Sequence, residues 1–393
     1  MKSIRQYDYL IVGAGFAGSV IAYLAAKAGK RSLILEKRSH IAGNMFDEID
    51  EETGILVQRY GPHTFHTKDK AIYEFVASIG EWEPYTLRAR VDIQGRLTPS
   101  PFNYQTVDDF FPFEKAKEIK RHLAKNFDFA PIVTIPKLLN SEDPVIREYA
   151  EFLFENDYKP YTAKQWGIAP EELDISVLER VPVRLSYDDK YFDDRYQMMP
   201  VGGFTKFFES MLDDPLIDVV TECDALEHLR LEEESGMICF DGEKLRIPLI
   251  FTGALDELFQ HKYGILPYRS LSFDYRVFEA PSYGETSGIA YPMAEGYTRT
   301  TEFSKLPYQD GFDKTIVAFE YPEKYGTEKG KLPYYPILTE ASKALYARYL
   351  KYAGRFAGLY PCGRLADFKY YNMDQVVARA LEVYGKVSKA ELP

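Results

Sequence analysis

Near the N-terminus the chain reads Tyr7-Asp8-Tyr9-Leu10-Ile11-Val12-Gly13-Ala14-Gly15-Phe16-Ala17-Gly18. The run Tyr7–Val12 predicts a buried strand that ends in a glycine-rich turn. Ser19–Ala28, rich in Ala and Leu, predicts a helix that stops at Gly29, and Ser32–Leu35 predicts a second strand closed by Glu36. Each part has a physical reason. Gly13 permits the tight turn, Gly15 lets backbone approach a pyrophosphate, and Gly18 allows close helix–strand packing. The helix N-terminus offers unpaired N–H groups to phosphates, and Glu36 stands where a carboxylate can accept ribose hydroxyl bonds. The complete unit predicts a Rossmann-like dinucleotide-binding fold.

Beyond Glu36 the chain continues Lys37-Arg38-Ser39-His40-Ile41-Ala42-Gly43-Asn44. An acid, then basic residues, then Gly-Asn resembles the extended FAD signature of the glutathione-reductase-type flavoproteins. That resemblance implies backbone of Gly43 and Asn44 beside the flavin phosphates. The remaining chain has no second GxGxxG, so a built-in NAD(P)H domain is not expected.

Composition narrows the function classes. The 393 residues carry 48 Lys+Arg against 60 Asp+Glu, a net charge of −12, which argues against a general nucleic-acid binder. A local cationic pocket for one phosphorylated ligand is still compatible with that balance. The 31 Tyr bring aromatics to 15%, a supply of flat faces with polar tips that suits sugar and base recognition, although any one Tyr taken singly is ordinarily a core filler. The three Cys and six His have no metal-like spacing, so no metal and a reducing compartment are expected. Met1–Asp8 is polar and no apolar run reaches the ~18 residues of a membrane span, so a soluble, cytoplasmic protein is expected.

Ala71–Ser78, Glu114–Lys125 and Val145–Asn156 have helical spacing, and residues 81–163 read as a mostly helical insertion. Short alternating runs from Trp166 to Pro200 and from Tyr268 to Pro336, such as Leu271–Phe278 and Lys314–Tyr321, read as a mainly antiparallel sheet. Between them, Phe204–Leu212 reads as a helix and Leu249–Thr252 as a strand returning to the nucleotide-binding sheet. The final helix, Met373–Tyr384, is expected there too. The fold class is therefore α/β. A discontinuous Rossmann-like domain (1–80, 203–256 and 339–393) is expected with a helical domain (81–163) and an antiparallel-sheet substrate domain (164–202 and 257–338).

Four segments combine cations, aromatics and Gly. They are Gly61-Pro62-His63-Thr64-Phe65-His66-Thr67; Tyr161-Thr162-Ala163-Lys164-Gln165-Trp166-Gly167 with Arg180-Val181-Pro182-Val183-Arg184 and Tyr191-Phe192; Tyr297-Thr298-Arg299-Thr300; and Pro333-Tyr334-Tyr335-Pro336 with Gly363-Arg364 and Tyr370-Tyr371-Asn372-Met373-Asp374. As an ordered set over essentially the whole chain, these segments resemble the UDP-galactopyranose mutase family.

The resemblance implies that UDP-galactopyranose and UDP-galactofuranose are interconverted without net redox change, N5 of reduced FAD acting as nucleophile, with an external reductant and commonly a homodimer. It implies that Arg180 and Arg299 grip the diphosphate, that Tyr161 stacks on uracil with Trp166 nearby, and that Tyr191, Tyr335 and Tyr370 line the diphosphate and sugar. Arg269 and Asn372 would also lie on the substrate side. His63 and His66 would form the flavin-side loop, with His63 also shaping the sugar pocket, and Gly363, Arg364 and Met373 would contact the flavin. His63, Arg180 and Arg299 are the residues expected closest to catalysis. The chain departs from the family at Asp157, where one of an aromatic pair is expected before Tyr161, and at Asn372, which is Asp in some relatives. Two other readings compete: an amine-oxidase-like FAD oxidoreductase, which has no need of Arg180, Arg299 and Tyr161 together, and a UDP-sugar sensor without turnover. The segment Arg180–Arg195 is the expected lid.

Overall fold

The strand Tyr9–Val12 lies at the centre of a five-stranded parallel sheet in the order Ile217–Val220, Ser32–Leu35, Tyr9–Val12, Leu249–Phe251, Leu359–Pro361. The computed structural model describes residues 3–166, 181–326 and 330–390; the side chain of Trp166 and all of Arg180 lie outside the described residues. Alternation along the sheet gives it two apolar faces, as a parallel sheet covered on both sides requires. Tyr9 and Ile11 meet the helices Phe16–Lys27 and Met373–Val387 through Val20, Ile21, Val377 and Ala380. Leu10, Leu33 and Leu249 meet Tyr349, Tyr352 and Phe356 on and just beyond the helix Glu340–Ala353.

A seven-stranded sheet forms the second layer, in the order Tyr335–Pro336, Tyr268–Phe278, Thr315–Lys324, Arg299–Glu302, Gly288–Ala290, Ala89–Ile93, Arg96–Ser100. All its pairs are antiparallel except Gly288–Ala290 with Ala89–Ile93. Residues 89–100 are thus a hairpin on this sheet rather than part of a helical segment. Their period-two pattern puts Val91 and Ile93 in the core. Residues 181–200 do not join this sheet. Val183–Arg184 pairs with Ile132–Val133, and Tyr196–Pro200 pairs with Phe65–Thr67 and Trp82–Pro84.

The helices Tyr104–Phe110, Phe113–Asn126, Ile135–Leu139 and Pro144–Leu153 surround a separate core of Val107, Ile119, Leu123, Ile146, Tyr149 and Leu153. Asn103 and Asp143 cap two of them by accepting from the backbone N–H of Gln105 and Val145. The helix expected to run to Asn156 ends at Leu153 and passes through a π-turn, Phe154–Tyr158, into the helix Lys159–Trp166. Among the described residues no helix is long and apolar enough to cross a membrane.

Candidate active site

The glycine turn leaves no room for side chains. A Cβ on Gly13, at φ +99°, would lie 2.2 Å from Thr252 Oγ1, and one on Gly18 would lie 2.0 Å from the Gly13 carbonyl oxygen. Gly43, at φ +58°, faces Gly15 so closely that its Cβ would lie 3.2 Å from Gly15 Cα. Two bare backbones therefore border the same narrow channel at the N-terminus of the helix Phe16–Lys27.

Glu36 is buried at the end of Ser32–Leu35. Its Oε2 accepts from Ala14 N–H at 2.9 Å and its Oε1 from Arg38 N–H at 3.0 Å. A carboxylate has about four acceptor positions, so capacity remains for ribose hydroxyls. Arg38 donates from Nη2 to Asn44 Oδ1 at 2.9 Å and lies 4.4 Å over the Tyr60 ring, while its Nη1 is buried without a partner. A buried guanidinium nitrogen left unbonded beside a glycine channel suits a phosphate group. Lys37 is exposed and is not gathered with Arg38. Across the channel, Gly363 (φ +113°) approaches Ala17 and donates its N–H to Asp367 Oδ2 at 3.1 Å. Met373, buried against the same core, begins the last helix, and exposed Asn372 caps it, donating its N–H to Gln375 Oε1 at 2.9 Å.

The second half of the site is built on one face of the seven-stranded sheet. Opposed residues on neighbouring strands put their side chains on the same face. Register sets Arg299 opposite Glu320, Glu320 opposite Phe273, and Arg269 opposite Tyr335. Arg269 and Phe273 are four apart on one strand, so all five side chains share that face. Arg299 donates from Nε and Nη2 to Glu320 Oε2, at 2.8 and 2.6 Å. Glu320 is only 2% exposed, and its Oε1 has no partner. Burial opposes the charge of Arg299, but Glu320, with Tyr161 and Tyr335 nearby, outweighs it and raises the pKa further. Arg269 is buried, its Nε has no partner, and burial lowers its pKa.

The loop Gly61–Thr64 packs onto this face. A Cβ on Gly61 would lie 3.0 Å from the Phe273 ring, and Gly61 has φ +89°. Gln58 holds the loop reciprocally: its Oε1 accepts from His63 N–H at 2.5 Å and its Nε2 donates to the His63 carbonyl at 3.1 Å. His63 Nδ1 lies 2.8 Å from the Gly61 carbonyl. A carbonyl only accepts, so Nδ1 carries the proton and Nε2 is left as an acceptor. Burial lowers the His63 pKa to about 4, with the Arg364 and Arg299 cations adding to it and the Gly61 bond opposing. The ring is neutral at pH 7.

His66, three residues on, is not gathered with His63. Its Nδ1 lies 2.5 Å from Asp194 Oδ2 and its ring stacks on Phe192 at 3.6 Å. Phe192 also packs edge-on against Tyr191, 4.8 Å away. A cavity of about 280 Å³ opens between Lys68, Arg184, Tyr191 and Val181, the described residue next to Arg180.

Arg364 closes the wall. It donates to the Tyr371 carbonyl from Nε at 3.1 Å and Nη2 at 2.6 Å, and lies 5.1 and 5.7 Å from the rings of Tyr335 and Tyr370. Those rings stack at 4.9 Å. Burial and the neighbouring Tyr370 push the Tyr335 phenol up to about 12, so it stays a hydrogen-bond donor.

Tyr161 comes from the helix Lys159–Trp166. Burial raises its pKa, while Arg299, Glu320, Tyr191 and Asp157 are near enough to act on it. Lys164 fixes that helix, donating from Nζ to the carbonyls of Tyr291, Ala294 and Tyr297 at 2.7, 2.6 and 2.9 Å. This turn leads directly into Arg299, so one ammonium ties the Tyr161 helix to the Arg299 strand. Sequence reasoning missed the positioning groups Lys164, Glu320 and Gln58. Lys164 stood inside a recognised motif without a role. Glu320 lies in an alternating strand where nothing marked it as the partner of an Arg 21 residues away. Among the described residues no cluster of His, Cys, Asp and Glu could hold a metal ion.

A glycine channel at a βαβ turn, opening beside a cleft of guanidinium groups and phenols, defines a protein built on a Rossmann-type dinucleotide-binding domain. The family model described as NAD(P)-binding Rossmann-like domain matches residues 11–79, and that of UDP-galactopyranose mutase matches residues 156–370. The chain is 32% identical to a UDP-galactopyranose mutase of Mycoplasma genitalium, over 97% of this chain and 94% of that one. It is 31% identical to a dTDP-fucopyranose mutase of Escherichia coli, over 95% and 96%. The chain belongs to the UDP-galactopyranose mutase family. Its fold matches a crystal structure of reduced UDP-galactopyranose mutase with a TM-score of 0.72 at 17% identity, covering 97% of this chain and 94% of that one. It matches putrescine oxidase bound to putrescine with a TM-score of 0.56 at 12% identity, covering 98% and 99%.

Proposed function

We propose that this protein interconverts UDP-galactopyranose and UDP-galactofuranose, with FAD as its resident cofactor. The observation that carries the reading is one sheet face on which Arg299, Arg269 and Tyr335 meet neutral His63, Tyr370 and Arg364 beside the glycine channel. Gly13, Gly15, Gly18, Gly43 and Asn44 fit the cofactor diphosphate, Glu36 its ribose, and the unbonded Nη1 of Arg38 its phosphates. Gly363, Arg364 and Met373 lie across the channel, where its ring system would sit. Reduced FAD, when bound, supplies N5 as the nucleophile for the sugar anomeric carbon, and an external reductant keeps it reduced.

The chain's own residues supply recognition and electrostatics. Arg299, oriented by Glu320 through one edge, keeps Nη1 for the substrate diphosphate, and Arg180 is its expected partner. Guanidinium groups there stabilise the charge of departing UDP. Tyr335 and Tyr370 donate phenolic hydrogens toward phosphate and sugar oxygens, and Arg269 adds positive potential behind Tyr335. His63 Nε2 accepts from a sugar hydroxyl. Tyr161 stacks on the base, and that remote binding energy holds the sugar in place. The same proposal gathers 1–80, 203–256 and 339–393 into a discontinuous cofactor domain, the helices between Tyr104 and Leu153 into a helical domain, and 257–338 with the hairpin 89–100 into a sheet domain, and makes the protein a cytoplasmic homodimer.

The putrescine oxidase likeness extends to fold alone. Arg299, Arg364 and Arg269 outnumber the one carboxylate described on this face, Glu320, which is already paired to Arg299, so the cleft disfavours a cationic amine. The test is chromatography of UDP-galactofuranose after incubation with the purified, dithionite-reduced protein. Formation of UDP-galactopyranose is expected. No interconversion, together with oxygen uptake on amines or alcohols, would replace this reading with the oxidoreductase one.

A further inference from the structure

The base platform raises a question of selectivity. Every nucleobase has a π-face, so stacking on a Tyr is tolerant of base identity. Selection among bases needs a polar group at the base edge.

Asp157 is a polar group close to Tyr161. It lies in the π-turn Phe154–Tyr158, a backbone feature that re-aims side chains and recurs at functional sites. It precedes Tyr161 by four residues on a continuous helical path, which places the two on the same face. The carboxyl is near enough to raise the pKa of both Tyr158 and Tyr161. It is half-buried, and burial alone perturbs it, with no hydrogen-bond or ion-pair partner among the described residues. Its i+4 neighbour Tyr161 and the buried Tyr158 supply an aromatic setting, and burial pushes the carboxyl pKa up to about 7. A half-buried carboxyl with no protein partner keeps its acceptor positions open to a ligand.

We propose that Asp157 reads the edge of the substrate's nucleobase, accepting the ring N–H of a uracil-type base stacked on Tyr161. This rests on the mutase reading above and adds to it a determinant of base choice. An ionised carboxylate only accepts. It therefore bonds the N3–H of uracil or thymine and meets the lone pair of cytosine N3 unfavourably. The geometry assigns to this carboxyl the discrimination that the stacking Tyr cannot make.

The experiment measures UDP and CDP binding at pH 8, where the carboxyl is ionised, by isothermal calorimetry on the cofactor-loaded protein. The Asp157→Asn and Asp157→Leu variants are measured beside it. The unmodified protein is expected to prefer UDP by about tenfold or more, the size of one charge-assisted bond. Asp157→Leu should weaken UDP and bring the two ligands together. Asp157→Asn should keep UDP and admit CDP, because a flipped amide offers cytosine N3 a donor. That gain of CDP distinguishes edge reading from a merely structural role. Unchanged preference in Asp157→Leu, or an Asp157→Asn variant that still rejects CDP, overturns the inference and leaves the mutase reading standing. If the unmodified protein binds neither nucleotide, both fall.

Discussion

Replacing Arg299 by Met separates what the Arg299–Glu320 pair does for folding from what it does for the substrate. Both hydrogen bonds run to the same carboxylate oxygen, at 2.8 and 2.6 Å, the other oxygen has no partner, and Glu320 is 2% exposed. Arg299→Met therefore leaves a buried carboxylate alone. Breaking a fully buried pair in this way costs about 3–5 kcal/mol. The Arg299 side chain is 31% exposed, so water reaches the vacated side, and about 2–3 kcal/mol is expected here. Adding Glu320→Gln removes the stranded charge and should recover all but about 1 kcal/mol. It should recover no activity, because the diphosphate still lacks its guanidinium. One or two lost charge-assisted bonds correspond to a drop of about 10²-fold or more in kcat/KM in both variants. The assay is urea unfolding followed by tryptophan fluorescence, with initial rates of interconversion on the same preparations. A single variant as stable as the unmodified protein, or a double variant no more stable than the single, would refute the reasoning.

Three further outcomes are expected. His63 has a pKa of about 4 in the fold against about 6.5 unfolded, so the unfolded chain takes up the proton first and stability falls as pH drops from 6.5 toward 4. Between pH 7 and 4.5 the unmodified protein should lose about 2 kcal/mol more than His63→Asn, as measured by denaturant midpoints. Lys164→Met removes three bonds to carbonyls and should cost about 3 kcal/mol of stability and weaken UDP binding at unchanged cofactor content, by thermal unfolding and calorimetry. Gly43→Ala forces a Cβ into a left-handed conformation 3.2 Å from Gly15 Cα and should reduce bound cofactor, read from the visible absorbance per mole of protein.

The cofactor half of the molecule was legible because its signals are local. Gly13, Gly15, Gly18 and Glu36 fall within one βαβ unit whose spacing carries its own meaning, and the strand Ser32–Leu35 and the helix Phe204–Leu212 lie where their apolar periods put them. Less legible was anything set by pairing over long separations. The strands Ile217–Val220 and Leu359–Pro361 are short, and their neighbours supply their reason to be extended. Residues 89–100 carry a clear period-two pattern, yet the helices after them and the Pro residues around them hid the hairpin. At the site, the residue types were readable and their connections were not. Arg299 stood out, but Glu320 and Lys164 acquire meaning only once register and packing bring them to it.

The central claim is that the reaction needs a reduced cofactor and yet consumes no electrons. The most direct measurement reduces the protein once without oxygen and removes the reductant. A large excess of UDP-galactofuranose is then added while product and visible spectrum are followed together. Many equivalents of UDP-galactopyranose are expected with the cofactor still reduced at the end, and none from the oxidised protein. Product that stops at one equivalent as the cofactor reoxidises, or equal turnover by the oxidised protein, would contradict it.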